Sequence, residues 1–212
     1  MLHHILRGVQ KNLTALSYIQ RLANTSINPT TLSATPQSGD ILIYIAYSVD
    51  SGLFPPAPSN VIPSGFTQIC THSTGGSSYA GRSTIAYKIS NGTESSLSGM
   101  ENWTIEQFRG NGQISSITIT DSDGSWTTSN PPSATLDSPT SLPALAVGIG
   151  WSWEGTLAFT FSVTGQSTIN LLDNVRYKTR YINYSATGNT LSADVTDQGI
   201  LQGYSAAVIT FT

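Results

Sequence analysis

The spacing of apolar positions changes character once along the chain. In residues 2–16 apolar side chains recur every three or four positions, which is the spacing of one helix face. From Ser17 onward the period is two, which is typical of strands with one buried face. The pattern therefore predicts an N-terminal helical arm over residues 1–16 and a single β domain over residues 17–212.

The arm has two possible roles. A helix this short is marginal when isolated, so it must dock on another surface. It either packs on its own domain or grips a neighbouring subunit, and the sequence leaves both open. The residues that would make the attachment are Leu2, Ile5, Leu6 and Val9.

Ten segments after the arm have the period and composition of strands. They are residues 17–23, 41–48, 66–70, 83–90, 102–108, 115–120, 144–151, 157–162, 174–184 and 204–211. Stretches rich in Gly, Pro and Asn separate them and supply the backbone angles that turns need. Many short strands with regular turn signals favour an all-β, antiparallel β-sandwich of the jelly-roll kind.

The segment SGDILIYIAYS, residues 38–48, is unusual because residues 41–47 have almost no polar position. A strand without a polar face is expected in the middle of a sheet with both sides covered. One side would be the sandwich core, and the other would meet a loop, the N-terminal arm or another chain. Coverage by the chain's own long loops is slightly favoured over coverage by a second chain.

Two stretches are predicted to be long loops. Residues 49–63 and 121–143 contain much Pro and Ser, and loops of this length in compact domains usually bind a partner or move. No second domain or internal repeat is predicted.

Composition narrows the class of protein. The net charge is −3 and the pI is near 5.4, which argues against nucleic acid as a partner, because phosphate binding needs clustered Lys and Arg. No window is apolar enough to span a bilayer, and no secretion signal is expected at the N-terminus.

Only 10% of residues are charged, against about 25% in an average domain. A polar but uncharged surface favours an assembly subunit, although a neutral, polar β-protein is equally common.

The residues that usually carry metal or acid–base chemistry are few. Cys70 is the only cysteine, so neither an internal disulfide nor a zinc cluster is predicted. The three histidines are His3, His4 and His72. Neither an orienting acid nor an oxyanion hole is evident beside the Cys70/His72 pair.

The carboxylates also give no catalytic arrangement. Glycoside hydrolysis would need two of them facing each other, but the glutamates Glu94, Glu101, Glu106 and Glu154 are scattered. Glu106 is predicted to point outward from its strand. We therefore predict no enzyme, no metal and no cofactor.

Two groups of residues are candidates for binding. In NVRYKTRYINY the alternation places Arg176, Lys178 and Arg180 in one row, which suits an acidic glycan or carboxylate partner, or simply a solvated face that discourages edge pairing. In GWSWEGT the spacing places Trp151 and Trp153 on one side, where indoles can stack on sugar rings or a protein neighbour. Packing of one tryptophan in the core is the competing interpretation.

Five segments occur in an order that resembles a known module. They are SGDILIYIAYS, IPSGFTQI, GRSTIAYKISNGTE, NWTIEQFRGNG and the terminal GYSAAVITF. Together they resemble a module of structural proteins from tailed-bacteriophage and prophage virions, over residues 17–212. The shared features are a Gly-Asp before an apolar strand, a Pro-x-Gly-aromatic turn, an aromatic-Lys strand ending in Asn-Gly-Thr-Glu, and an aromatic-Arg-Gly. Here they are Gly39 and Asp40, residues 63–66, Tyr87 and Lys88 with residues 91–94, and residues 108–110.

The resemblance implies a non-enzymatic β-sandwich of a tail fibre, tail tip or capsid decoration, often in symmetric oligomers, with a trimer favoured. With only about sixteen residues before the module and no shaft repeat, a small appendage or decoration subunit fits better than a whole fibre. The expected partners are other virion proteins and copies of itself. The expected location is the virion surface, after synthesis in the host cytoplasm. The alternative is a receptor-binding module for host surface glycans, using Trp151, Trp153 and the Arg176 row.

Overall fold

The chain forms antiparallel β-structure. The computed structural model describes residues 17–24, 30–53, 59–75, 79–100, 102–109, 117–124, 133–137, 144–152, 158–163, 169–173, 177–184, 190–196 and 204–211. These ranges contain fifteen strands and no helix. Every strand pair among them is antiparallel. The all-β, antiparallel part of the prediction is confirmed, whereas the predicted arm, residues 1–16, lies outside the described residues.

The first seven strands form one large and one small sheet. They are β1 (Ser17–Asn24), β2 (Thr30–Thr31), β3 (Ser38–Ser51), β4 (Thr67–Gly75), β5 (Tyr79–Asn91), β6 (Ser96–Leu97) and β7 (Asn102–Arg109). The large sheet has the order β1-β7-β3-β5-β4, and β2 pairs with β6.

The remaining strands form two further sheets. They are β8 (Ile117–Gly124), β9 (Ser133–Asp137), β10 (Ala144–Ser152), β11 (Ala158–Val163), β12 (Ile169–Asp173), β13 (Tyr177–Tyr184), β14 (Thr190–Thr196) and β15 (Tyr204–Phe211). One sheet has the order β12-β13-β10-β15-β8 and the other the order β11-β14-β9. The backbone of β14 approaches those of β10 and β15, and β9 approaches β8 and β15, so these two sheets are neighbours.

The apolar strand β3 occupies the centre of the first sheet, between β7 and β5. All residues from Ile41 to Tyr47 are buried, and Ile41 to Tyr44 have no exposed surface at all. Because successive side chains alternate between faces, a strand covered on both sides needs apolar residues at every position. The predicted central position with both sides covered is confirmed, and the burial occurs within a single chain.

One face of this sheet packs on the chain's own connecting segments. Leu42, Tyr44 and Trp103 form its core together with residues outside the sheet. The residues outside the sheet are Leu32, Ile62, Phe66, Leu97 and Met100. The Tyr44 hydroxyl donates to the Val61 carbonyl oxygen at 3.0 Å and accepts from the Met100 amide at 2.8 Å. The segment just before β4 therefore covers this face, as the loop interpretation predicted.

The sequence missed several strands. The predicted loop over residues 121–143 contains the end of β8 and all of β9, while β12 and β14 were not predicted. Likewise β3 continues to Ser51, into the predicted loop over residues 49–63. Segments such as SATLD and TLSADVT lack a run of large apolar residues, and their extended form comes from pairing with each other. Strand formation of this kind depends on the partner strand more than on local propensity.

Candidate functional site

Asp40 organises a polar cluster at one end of the first sheet. Its amide donates to the Gln37 carbonyl oxygen at 3.0 Å, and its Oδ2 accepts from the Gln37 amide at 2.8 Å. Gly39 lies inside this turn at a φ of 91°, a left-handed conformation that glycine adopts without steric cost. The Gly-Asp pair thus forms the turn that starts the long central strand.

The same carboxylate ties β3 to β7. Oδ2 accepts from Arg109 Nη2 at 2.8 Å and from Gln107 Nε2 at 2.6 Å, while Oδ1 accepts from Arg109 Nε at 3.0 Å. Burial alone would raise the pKa of Asp40, but hydrogen bonds from Arg109, the Gln37 backbone and Gln107 outweigh it and lower that pKa. The carboxylate is therefore ionised and engaged by donors of its own chain.

A second cluster surrounds the turn after β5. Lys88 Nζ lies 2.7 Å from Glu94 Oε1, and Ser90 Oγ donates to Glu94 Oε2 at 2.5 Å. Burial alone would raise the pKa of Glu94, but hydrogen bonds from Lys88 and Ser90, together with the Lys88 charge, lower it to about 2. The turn itself is held by Gly92, whose amide donates to Ser90 Oγ at 2.9 Å.

A third pair joins the edge strand β1 to β7. Arg21 and Glu106 face each other in the strand register, and Glu106 Oε1 lies 3.1 Å from Arg21 Nε and 3.0 Å from Arg21 Nη2. Glu106 is fully buried, so the prediction that it points outward is wrong. The error arose because β7 lies between two other strands and both of its faces are buried. On such a strand, a residue that alternates with apolar neighbours is buried as well.

Burial controls the protonation of Glu106. It raises the pKa of this carboxyl from 4.5 to about 7, although the Arg21 charge, the Arg21 hydrogen bond and a hydrogen bond from Tyr18 oppose it. A buried carboxyl that titrates near neutrality is a common feature of functional sites, but buried structural ion pairs show it as well. Its partners here are side chains of the neighbouring strand.

The described residues contain neither a metal-binding cluster nor a membrane-spanning helix. No group of three or more His, Cys, Asp or Glu side chains is close enough to hold a metal ion in the described part of the chain. Within those same ranges, no helix is long and apolar enough to cross a bilayer. Cys70 and His72 are on β4, in register with Ile85 and Ser83.

The predicted binding residues are only partly within the described ranges. Trp151 pairs with Tyr177 in the β10–β13 register, and Lys178 and Arg180 pair with Gly150 and Gly148. Because successive strand residues alternate between faces, this register puts Lys178 on the opposite face of the sheet from Trp151 and Tyr177. Trp153 and Arg176 lie outside the described residues, as do the four attachment residues of the arm, so their roles stay predictions.

Comparison with known proteins identifies no relative. No family model matches the chain, no curated protein matches it, and no solved structure matches it. The residues themselves are therefore the basis for assigning a function.

The sequence contained a signal for the buried pair that was not used. An Arg in the apolar segment YIQRLA and a Glu in the segment WTIEQF carry opposite charges within two strands. Opposite charges on two strands that are rich in large apolar residues are expected to pair, because a lone buried charge is too costly. Only the knowledge that β1 and β7 are neighbours turns this signal into a prediction.

Proposed function

We propose that this chain is a structural protein of a tailed-bacteriophage virion. It serves as a small tail-appendage or capsid-decoration subunit that mediates assembly and contacts the host surface. The proposal rests on the ordered segments that resemble the phage module. Its partners are other virion proteins and further copies of the same chain, and its location is the tail or capsid surface.

The observation that carries the proposal is that the residues shared with the phage module form internal ion pairs and a turn. Asp40 binds Arg109, and Lys88 binds Glu94, so four charged residues of the shared pattern form two internal ties. Residues 63–66 form a turn in which the Phe66 amide donates to the Pro63 carbonyl oxygen at 3.1 Å. Residues that hold turns and strand ends in place are what a scaffold requires, and this supports the proposed non-enzymatic role.

The finer architecture belongs to the same proposal. The adjacent backbones of β14, β10 and β15 support a β-sandwich of the jelly-roll kind, in which the C-terminal sheets stack face to face. Residues 1–16 would form a helical arm that attaches the subunit through Leu2, Ile5, Leu6 and Val9. Symmetric virion appendages favour a trimer.

Immunogold electron microscopy of purified particles tests the proposal. An antibody raised against the recombinant chain should label a fixed position on particles from cells that carry its gene. Particles from a strain with the gene deleted are the matched control and should show no label. Label that stays with host membranes or unassembled protein, and is absent from particles, would refute the proposal.

Glycan recognition is the second candidate. The observation that favours it is that Trp151 and Tyr177 are direct partners in the β10–β13 register, and two neighbouring aromatic residues suit stacking on a sugar ring. A glycan array should show binding that the Trp151→Ala, Trp153→Ala double variant loses. A double variant that binds as the parent does, or a parent that binds no glycan, removes this candidate.

A further inference from the structure

The turn after β5 contains the dipeptide Asn91–Gly92, which is chemically labile in proteins. Asparagine is among the thermolabile residues, and a following glycine offers the least steric protection to its side chain. The reaction begins when the Gly92 nitrogen loses its proton and attacks Asn91 Cγ. The Cγ–N bond of the side-chain amide breaks and its nitrogen leaves as ammonia, which takes up a proton. Water then opens the resulting five-membered imide at either carbonyl, giving an aspartyl or an isoaspartyl residue.

The structure engages both reacting groups in hydrogen bonds. Asn91 Oδ1 accepts from the Thr93 amide at 3.1 Å and from Thr93 Oγ1 at 2.6 Å, which fixes the side chain toward Thr93. The Gly92 amide donates its proton to Ser90 Oγ at 2.9 Å. Attack by nitrogen requires this proton to leave and the side chain to turn, so these three hydrogen bonds oppose the reaction.

The acceptor of the Gly92 proton is itself held in place. Ser90 Oγ donates to Glu94 Oε2, and Glu94 is fixed by Lys88. Glu94 and Ser90 are both buried, while Asn91 and Thr93 are exposed. The exposed half of the turn is therefore accessible to water, and the buried half keeps it closed.

We propose that Asn91 is a deamidation site which the folded turn protects, so that modification occurs when the turn opens. Opening exposes the Gly92 amide proton and frees the Asn91 side chain at the same time. The isoaspartyl product adds a methylene to the main chain where Asn91 pairs with Ser38, so it prevents the turn from closing again. The site thus records irreversibly that this end of the first sheet has opened.

The test compares modification rates at Asn91 in the folded and the denatured protein. Purified full-length protein is incubated at pH 8, and tryptic peptides are followed by mass spectrometry for the amide-to-acid mass change and for isoaspartate. In denaturant, Asn91 and the second Asn-Gly pair, Asn111–Gly112, should react at similar rates, which calibrates the assay. In the folded protein Asn91 should react at least about tenfold more slowly than in denaturant, the effect of roughly one net hydrogen bond.

Variants then test the hydrogen bonds themselves. Thr93→Ala should deamidate at Asn91 several-fold faster than the parent, whereas Thr93→Ser keeps the hydroxyl and should react at the parental rate. Circular dichroism verifies that both variants are folded. Equal rates in folded and denatured parent protein would overturn the proposal, as would a Thr93→Ala rate equal to that of Thr93→Ser.

Discussion

At the scale of single residues, charge is scarce in this chain but is used at specific positions. Asp40, Glu94 and Glu106 are all buried, and each faces a basic side chain of a different part of the first sheet. A buried carboxylate is tolerated only with such partners, because desolvation alone would cost several kcal/mol. The pairs therefore specify which strands and turns meet.

Replacing Asp40, on whose carboxylate several donors converge, tests whether the buried ion pairs hold strands and turns together. Asp40→Ala leaves Arg109, Gln107 and the Gln37 amide without their acceptor, so the free energy of unfolding should fall by about 2–4 kcal/mol. Asp50→Ala, an exposed carboxylate on the same strand, is the control and should change it by no more than about 0.5 kcal/mol. Urea denaturation measures both, and equal losses in the two variants would contradict the role given to Asp40.

The titration of Glu106 should make the free energy of unfolding depend on pH. Its pKa is about 7 when folded and near 4.5 when unfolded, so the folded state holds the proton more tightly. Its contribution to stability is fully present below pH 4.5 and is lost as pH rises through 7. From pH 5 to pH 8 the free energy of unfolding should therefore fall by roughly 1–3 kcal/mol.

Glu106→Gln provides the matched control for this trend. The amide has nearly the same shape but does not titrate, so the slope between pH 5 and pH 8 should flatten. Below that range Asp40 and Glu94 impose the opposite trend, because their folded pKa values are lowered. A Glu106→Gln protein with an unchanged slope would exclude Glu106 as its source.

At the scale of elements, turns with fixed geometry begin and end the long strands. Gly39 and Gly92 both have positive φ, at 91° and 84°, but their surroundings differ. A Cβ added at Gly39 meets nothing within 4 Å, whereas one at Gly92 lies 3.1 Å from the Ser38 amide nitrogen. The turn after β5 therefore packs directly on the start of β3.

This difference predicts unequal costs for the same substitution. Gly39→Ala should lower the free energy of unfolding by about 1–2 kcal/mol from backbone strain alone. Gly92→Ala should cost about 1 kcal/mol more, because strain and a close backbone contact combine. Thermal or urea unfolding compares the two variants, and a smaller loss in Gly92→Ala than in Gly39→Ala would contradict the packing described.

The same elements indicate how far sequence alone could go. The period-two pattern predicted the class and most strands of the first sheet, because those strands carry dense apolar runs. The unbroken apolar run of residues 41–47 predicted the central position of β3. It missed β9 and β14, which lack such runs, and the short strand β12, and it assigned Glu106 to the wrong side. Pairing partners that are distant in sequence, such as Arg21 and Glu106, cannot be read from local pattern.

At the scale of the whole molecule, the burial of β3 removes one reason to expect a second subunit. The apolar run from Ile41 to Tyr47 is covered within one chain, so it does not by itself require a second subunit. Attachment in the proposed virion role then depends on the predicted arm, residues 1–16, and on polar surfaces. Low overall charge suits such surfaces, because few ions must be desolvated when they are covered.

Deleting residues 1–16 tests the attachment role of the arm. The truncated chain should keep the circular dichroism and unfolding midpoint of the full-length protein, because in the attachment role the apolar face of the arm contacts a neighbouring subunit. It should no longer enter particles when it replaces the full-length protein in the producing cell. Incorporation at the full-length level would remove the arm from the account.

The central claim is that this chain is a structural part of a virion. Quantitative mass spectrometry of gradient-purified particles, from cells that carry the gene, measures it directly as copies of the chain per particle. The account predicts a fixed ratio of this chain to the major capsid protein, constant across the particle peak. A chain that is expressed in those cells but absent from the particle peak would contradict it.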